Sequence, residues 1–178
     1  MIKILFVCHG NICRSTMAQF LFRHLAEKAG YSVTDDIDRT GDFYVDSAAT
    51  SREEIGNPVD LRTAAKLKEH GIFCGHHLAR QITRQDYTAF DLIIIMDKEN
   101  QWGLQRIIPN DPDRKVHLMM EFAEDNRCKD RTEGFRDVAD PWYTHDFEKT
   151  YEDLLAGCRG LLDRCGNDIQ KRKEGVFL

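Results

Sequence analysis

No apolar run in these 178 residues reaches the length that spans a membrane, so membrane insertion is not expected. The amino terminus runs straight into a strand-like segment with one lysine and then Cys8, which is not the pattern of a cleavable signal peptide and points to a cytoplasmic protein. An excess of basic charge is also missing: the net charge is −5 and the pI near 5.8. Nothing general therefore draws the chain to nucleic acid, and any electropositive site must be local. The six cysteines, Cys8, Cys13, Cys74, Cys128, Cys158 and Cys165, lack the paired spacing of a zinc ribbon. A chain this long needs no disulfide framework, so reduced thiols are expected. There are no repeats and no low-complexity tracts. What remains is one globular domain over residues 1–178, with 42% hydrophobic content to build its core, and a monomer is the favoured state.

The chain is organised around Cys8-His9-Gly10-Asn11-Ile12-Cys13-Arg14-Ser15. This stretch follows an apolar run, Ile2 to Val7, that suits a buried strand, and it opens a segment of helical periodicity with Met17, Phe20, Leu21, His24, Leu25 and Ala29. A loop between a strand's carboxyl end and a helix's amino end is a natural anion cradle. The first-turn N–H groups have no intrahelical partner, and the positive end of the helix dipole points the same way. Such surroundings favour a thiolate at Cys8 over a thiol. The planar fork of Arg14 suits two equatorial oxygens of a phosphoryl group. Asn11 tolerates a left-handed backbone and is placed to hold the loop.

Further on, Tyr31 to Asp42 reads as a polar surface excursion before a short strand, Phe43-Tyr44-Val45, with Ser47 directly after it. Asn57-Pro58 reads as the start of a helix carried by Leu61, Ala64, Ala65 and Leu67 to His70-Gly71. Leu92 to Met96 reads as a central strand covered on both faces, followed by a helix from Lys98 to Ile108 and a last short strand, Val116-His117-Leu118. Residues 124–140 are charged and interrupted by Gly134, the pattern of a mobile loop. Phe147 to Ile169 carries one long apolar stripe, on which Cys158 and Cys165 are core positions. This alternation implies an α/β, doubly wound parallel sheet of about four strands with helices on both faces.

A phosphate ester leaves poorly without a proton donor. Asp140 is the candidate, in Asp140-Pro141-Trp142-Tyr143, where Pro141 stiffens the turn and the two aromatics form a wall for a flat ring. Composition alone equally allows a turn or capping aspartate. Asp91, Asp97, Asp125, Asp130 and Asp137 read as structural or solvated. Cys74-Gly75-His76-His77 lacks a metal-ligand spacing, so neither a metal nor any other cofactor is expected.

Val7-Cys8-His9-Gly10-Asn11-Ile12-Cys13-Arg14-Ser15 resembles the signature of the low-molecular-weight protein tyrosine phosphatases, second loop cysteine included. Asp46-Ser47-Ala48-Ala49-Thr50-Ser51, Ile55-Gly56-Asn57-Pro58, His70-Gly71-Ile72, Ala79-Arg80-Gln81-Ile82, Met96-Asp97 and Asp140-Pro141 resemble later landmarks in the same order. The resemblance implies strand order 2-1-3-4 and hydrolysis of tyrosine-phosphorylated protein substrates through a phosphocysteine on Cys8. Arg14 would bind the phosphoryl group and Asp140 would act as general acid and base. It further implies that His9, Gly10, Asn11, Ile12, Cys13 and Ser15 form the substrate cradle and that Trp142 and Tyr143 line the cleft. Asn11, Ser15, Ser47 and a histidine before Ala79-Arg80 would support the loop, with His77 favoured and His76 its rival. On composition Cys13 is a small buried residue under the loop; the resemblance adds a redox role, as a bridge to Cys8.

Three departures bear on substrate choice and loop rigidity. Thr16 stands where the family usually has proline, and His9 where it has an aliphatic or small residue. Glu53 stands where the family often places an apolar group at the cleft mouth, and a carboxylate there would repel acidic substrates. Other activities share this scaffold. A thiol-coupled arsenate reductase needs relay cysteines that Ile82 to Pro109 lacks, and a protein-arginine phosphatase has threonine where Ile12 stands. A non-catalytic phosphate-binding module remains the third alternative.

Overall fold

The structure, a computed structural model, describes residues 1–123, 129–130 and 134–173. Five parallel strands form one sheet in the order β2-β3-β1-β4-β5: β1 (Ile2–Cys8), β2 (Val33–Thr34), β3 (Phe43–Ala49), β4 (Leu92–Ile95) and β5 (Val116–Leu118). The expected order 2-1-3-4 holds for β3-β1-β4-β5, the four strands other than β2. The fifth, β2, is a two-residue edge inside what reads as a surface excursion, too short to show periodicity, and it pairs Val33 and Thr34 with Phe43 and Tyr44. Strand β3 runs on to Ala49, so Ser47 lies within it rather than after it.

Side chains alternate along β1 and divide the core in two. Ile4, Phe6 and Cys8 face the side covered by α1 (Arg14–Lys28) and the long carboxyl-terminal helix, while Leu5 and Val7 pack with Ile82, Phe90, Ile93, Ile95 and Leu104 on the other. A sheet buried on both faces is why Leu92 to Met96 reads as an unbroken apolar run. The connection from β1 runs toward β3 and the connection from β4 runs the opposite way to β5, so the carboxyl end of β1 sits at the switch point where ligands bind in such sheets.

Between the strands, α2 (Leu61–Glu69) begins later than Asn57-Pro58 suggests. Gly56 N–H donates to Ala79 O and Ala79 N–H to Asn57 O, both at 2.8 Å, which holds that segment extended. Asp60 caps the helix instead, accepting from Arg62 N and Thr63 N. A short α3 (Arg84–Ala89), not among the expected helices, opens on a reciprocal capping box between Thr83 and Asp86. After β4 comes α4 (Lys98–Gln105), which stops short of the expected Ile108, and after β5 a 3-10 turn (Met119–Glu121).

The expected mobile loop over 124–140 falls partly outside the described residues, as do Cys128 and Asp125. Within them, β6 (Lys129–Asp130) pairs antiparallel with β7 (Gly134–Phe135). The approach to Asp140 is held at two places. Val138 N–H donates to Met96 O at 2.9 Å, and Arg136 grips the buried Asp153 carboxylate through two bonds of 2.8 and 2.7 Å. Next come α5 (Pro141–Thr144) and α6 (Phe147–Lys173). Helix α6 passes so close to the 3-10 turn that a Cβ at Gly160 would lie 1.8 Å from Phe122 O. Among the described residues no helix is long and apolar enough to cross a membrane.

Candidate active site

The loop from Cys8 to Ser15 is gripped by its carbonyls. Thr50 N–H donates to Cys8 O (2.9 Å), Ser51 N–H to His9 O (3.0 Å) and Asp60 N–H to Ile12 O (3.0 Å). His77 Nε2 lies 2.9 Å from Asn11 O, and since a carbonyl only accepts, that nitrogen carries the proton. Burial pushes His77 below its ordinary value, so the ring is neutral at pH 7. No peptide bond here is cis. With these four carbonyls turned outward, the N–H groups across the same planar peptides, those of His9, Gly10, Ile12 and Cys13, face inward. Asn11 makes this curl possible at φ 60°, the left-handed region that Asn tolerates. Gly10 allows the neighbouring segment to close over the loop, because a Cβ there would meet Glu54 Cγ at 3.1 Å.

One hydrogen-bond network fixes which way the protons point. Arg80 N–H donates to Asn11 Oδ1 (3.1 Å), so the amide nitrogen faces the other way and donates to Ser15 Oγ (2.9 Å) and Ser47 Oγ (2.8 Å). The Ser47 hydroxyl in turn donates to Gln19 Oε1 at 2.7 Å. Ser15, already accepting from Asn11, has its hydroxyl 3.1 Å from Cys8 Sγ, where its proton stabilises a thiolate. Asn11 N–H adds a second donor at 3.3 Å. His76 is exposed and lines a different cleft.

Cys8 and Arg14 are each only 3% exposed. Arg14 Nη1 pairs with Asp97, and Nη2 lies 2.6 Å from Asp140 Oδ2. Burial works against the guanidinium's charge, but Cys8, Asp97 and Asp140 outweigh it and hold Arg14 above its ordinary range. Asp97 also caps α4 by accepting from Asn100 N at 2.6 Å, so a structural carboxylate braces the arginine from behind. Asp140 both caps α5 and faces the cleft. Its Oδ1 accepts from Trp142 N at 3.0 Å while Oδ2 meets Arg14.

These groups meet in a cleft of about 210 Å³ lined by Cys8, His9, Gly10, Ile12, Cys13, Arg14, Glu53, Glu54, Glu99, Asp140, Trp142 and Tyr143. A larger one, about 650 Å³, lies between α1 and the 71–76 segment, but no thiol lines it. At the mouth His9 Nε2 lies 3.1 Å from Glu53 Oε2, with both side chains mostly in solvent. Trp142 and Tyr143 line the same cleft and stand exposed. Burial pushes the Cys13 thiol up to about 12, with Thr63 opposing and Asp60 adding to the rise. Asn11, Ser15, Ser47 and His77 converge under the loop. Gln19, Arg80 and Glu99 were missed in the sequence, although Gln19 sits one helical turn beyond Ser15 on the same face. Among the described residues no group of three His, Cys, Asp or Glu is arranged to hold a metal ion.

A parallel α/β sheet whose first strand ends in an anion cradle holding a thiol, a guanidinium and a carboxylate defines a class of phosphoryl-binding proteins. Residues 3–174 match the sequence profile described as low molecular weight phosphotyrosine protein phosphatase. The chain is 37% identical over 174 residues to the low molecular weight protein-tyrosine-phosphatase YfkJ of Bacillus subtilis, covering 98% of this chain and 99% of that one. The crystal structure of YfkJ superposes with a TM-score of 0.79 over 94% of this chain and 96% of that chain, at 36% identity. A Gallus gallus low molecular weight phosphotyrosine protein phosphatase is 39% identical over 164 residues, covering 91% of this chain and 94% of that one. The crystal structure of a drosophila arginine phosphatase is similar too, with a TM-score of 0.74 at 29% identity over 92% of this chain and 97% of that chain, so the fold alone does not choose the substrate. The chain belongs to the low molecular weight phosphotyrosine protein phosphatase family, a family of phosphatase enzymes.

Proposed function

We propose that the protein hydrolyses phosphotyrosine in protein substrates through a phosphocysteine on Cys8. The observation that carries this reading is the convergence of Cys8, Arg14 and Asp140 in one cleft at the amino end of α1. The thiolate of Cys8 attacks phosphorus as the P–O bond to the tyrosyl oxygen breaks, and Asp140 gives its proton to that oxygen. The inward N–H groups and Arg14 hold the equatorial oxygens. Water then attacks phosphorus, Asp140 takes its proton, the S–P bond breaks, and inorganic phosphate leaves with Cys8 again a thiolate. Ser15 and Asn11 N–H stabilise the sulfur as nucleophile and as leaving group. Trp142 and Tyr143 form the wall for the substrate ring. Turnover of phosphotyrosine, phosphoarginine and arsenate by one preparation tests the assignment. The expected result is phosphotyrosine turnover; a preference for phosphoarginine, or arsenate reduction, would replace it with another activity of the scaffold.

Glu53 is part of this proposal as a determinant of substrate charge. Its carboxylate stands at the mouth, offset by His9 only when that ring is protonated. Glu53→Tyr or Glu53→Leu is expected to lower KM for acidic phosphotyrosine peptides about two- to five-fold, with little change in kcat, as suits a solvent-exposed charge. Unchanged KM and salt dependence would remove Glu53 from substrate selection.

The Cys8 and Cys13 pair is proposed as a redox switch. Peroxide oxidises the Cys8 thiolate to a sulfenic acid, then the Cys13 thiolate attacks Cys8 sulfur, the S–O bond breaks, hydroxide leaves and takes a proton from solvent to become water, and a disulfide forms. Cys13 must be a thiolate to attack. With its thiol raised to about 12, the thiolate fraction grows with pH throughout the neutral and mildly alkaline range. Peroxide is therefore expected to inactivate reversibly, with disulfide yield rising from pH 7 to 9 and Cys13→Ser oxidising onward irreversibly. Mass spectrometry of the oxidised protein checks this, and full recovery of Cys13→Ser after the same treatment would refute it.

A further inference from the structure

One face of α2 runs along the start of α6 through three successive turns. Lys66 Nζ reaches Glu148 at 2.7 Å, and the His70 ring stacks on Tyr151 with centroids 3.8 Å apart. Arg62, one turn nearer the cleft, is held differently. Its Nε and Nη2 donate to Asp60 Oδ1 (3.2 Å) and Oδ2 (3.0 Å), which fixes the plane of the guanidinium. The guanidinium carbon lies 5.0 Å from the Phe147 ring centroid and 5.8 Å from that of Trp142, a cation–π contact on each.

The two rings stand on either side of a corner. Trp142 is on α5, two residues past Asp140 and bonded to its carboxylate through N–H. Phe147 opens α6, and between them His145 turns the chain at φ 56°. Arg62 thus spans the corner that fixes α5. At its other end the same unit is tied to the phosphate cradle, because Asp60, which holds the guanidinium, donates its N–H to Ile12 O.

We propose that Arg62 is a positioning residue for the acid, transmitting the place of the phosphate loop through Asp60 to Trp142 and Phe147 so that Asp140 stays aligned with the leaving oxygen. The role rests on the phosphatase reaction proposed above. Arg62 takes no part in phosphate binding or proton transfer. Its removal should therefore spare both phosphate affinity and reactions that need little protonation.

The test is kcat/KM of Arg62→Met with phenyl phosphate, a poor leaving group, and p-nitrophenyl phosphate, a good one. The phenyl ester is expected to lose about five- to thirty-fold, the size of two exposed cation–π contacts, with a much smaller loss for the nitrophenyl ester. Vanadate affinity should not change. Arg62→Lys should recover part of the loss, since an ammonium sits over a ring but lacks the fork that binds Asp60. Phe147→Leu, which leaves Arg62 and the cleft in place, should show the same selective loss and stands in if Arg62→Met folds poorly. Equal losses on both esters, or none, would overturn the proposal. Asp140→Asn separates the two levels. If it too lacks leaving-group selectivity, the acid assignment falls and the positioning role with it; if it is selective while Arg62→Met and Phe147→Leu are not, the positioning role alone is wrong.

Discussion

Cys8→Ser is expected to lose turnover by on the order of 10^5-fold or more while still binding phosphate analogues such as vanadate. The asymmetry follows from how the site is built. The cradle is made by inward peptide N–H groups and Arg14, and none of these depends on the sulfur. Outward anchoring by Thr50, Ser51, Asp60 and His77 keeps the loop curled whatever stands at position 8. Serine fits the small buried space, and its hydroxyl can pair with Ser15 as the thiol does. A hydroxyl nevertheless stays protonated where Ser15 and Asn11 N–H would favour a thiolate, so it cannot attack phosphorus. Activity comparable to that of the parent protein would refute covalent catalysis at Cys8, and loss of vanadate binding would show that the sulfur is needed to shape the cradle.

The second large effect concerns Asp140→Asn. The substitution keeps the shape and the cap, because an asparagine oxygen accepts from Trp142 N as the carboxylate does. Arg14 keeps Asp97 as its brace. What disappears is a group that can give up and take back a proton near neutral pH. The expected loss in kcat/KM is therefore about 10²- to 10⁴-fold for an unactivated phenyl ester, and clearly less for an ester whose phenolate leaves unaided. Hydrolysis of the phosphocysteine should slow as well, since water loses its base, so kcat should fall to a common value among activated esters, whose first step stays fast. A uniform loss in kcat/KM across leaving groups would mean that Asp140 acts only through its contact with Arg14.

Much of this site was legible because it is contiguous in sequence. The strand, loop and helix around Cys8 follow one another, and the change of period from strand to helix places the loop at the anion-binding end of both. Asp140 was legible as a residue but not as a geometry. Only folding shows that the aspartate capping a four-residue helix has its other oxygen on Arg14. The supporting contacts were least legible, since Arg80 and Asp97 reach Asn11 and Arg14 from separate elements, and a landmark in the sequence does not show what its side chain or backbone touches. The start of α2 was misread for a related reason. Asn57-Pro58 has the local chemistry of a helix start, but pairing with Ala79 holds it extended, a long-range contact that overrides local preference. Strand β2 escaped notice because two residues cannot display a period.

Rapid-quench labelling with a phosphotyrosine peptide tests the covalent step itself. Protein mixed with the peptide, quenched within the first turnover and digested should carry a phosphoryl group on the peptide containing Cys8. Asp140→Asn should accumulate more of it with an activated ester, as its hydrolysis slows. Turnover with no covalent phosphate at Cys8, or phosphate found on another residue, would contradict the mechanism.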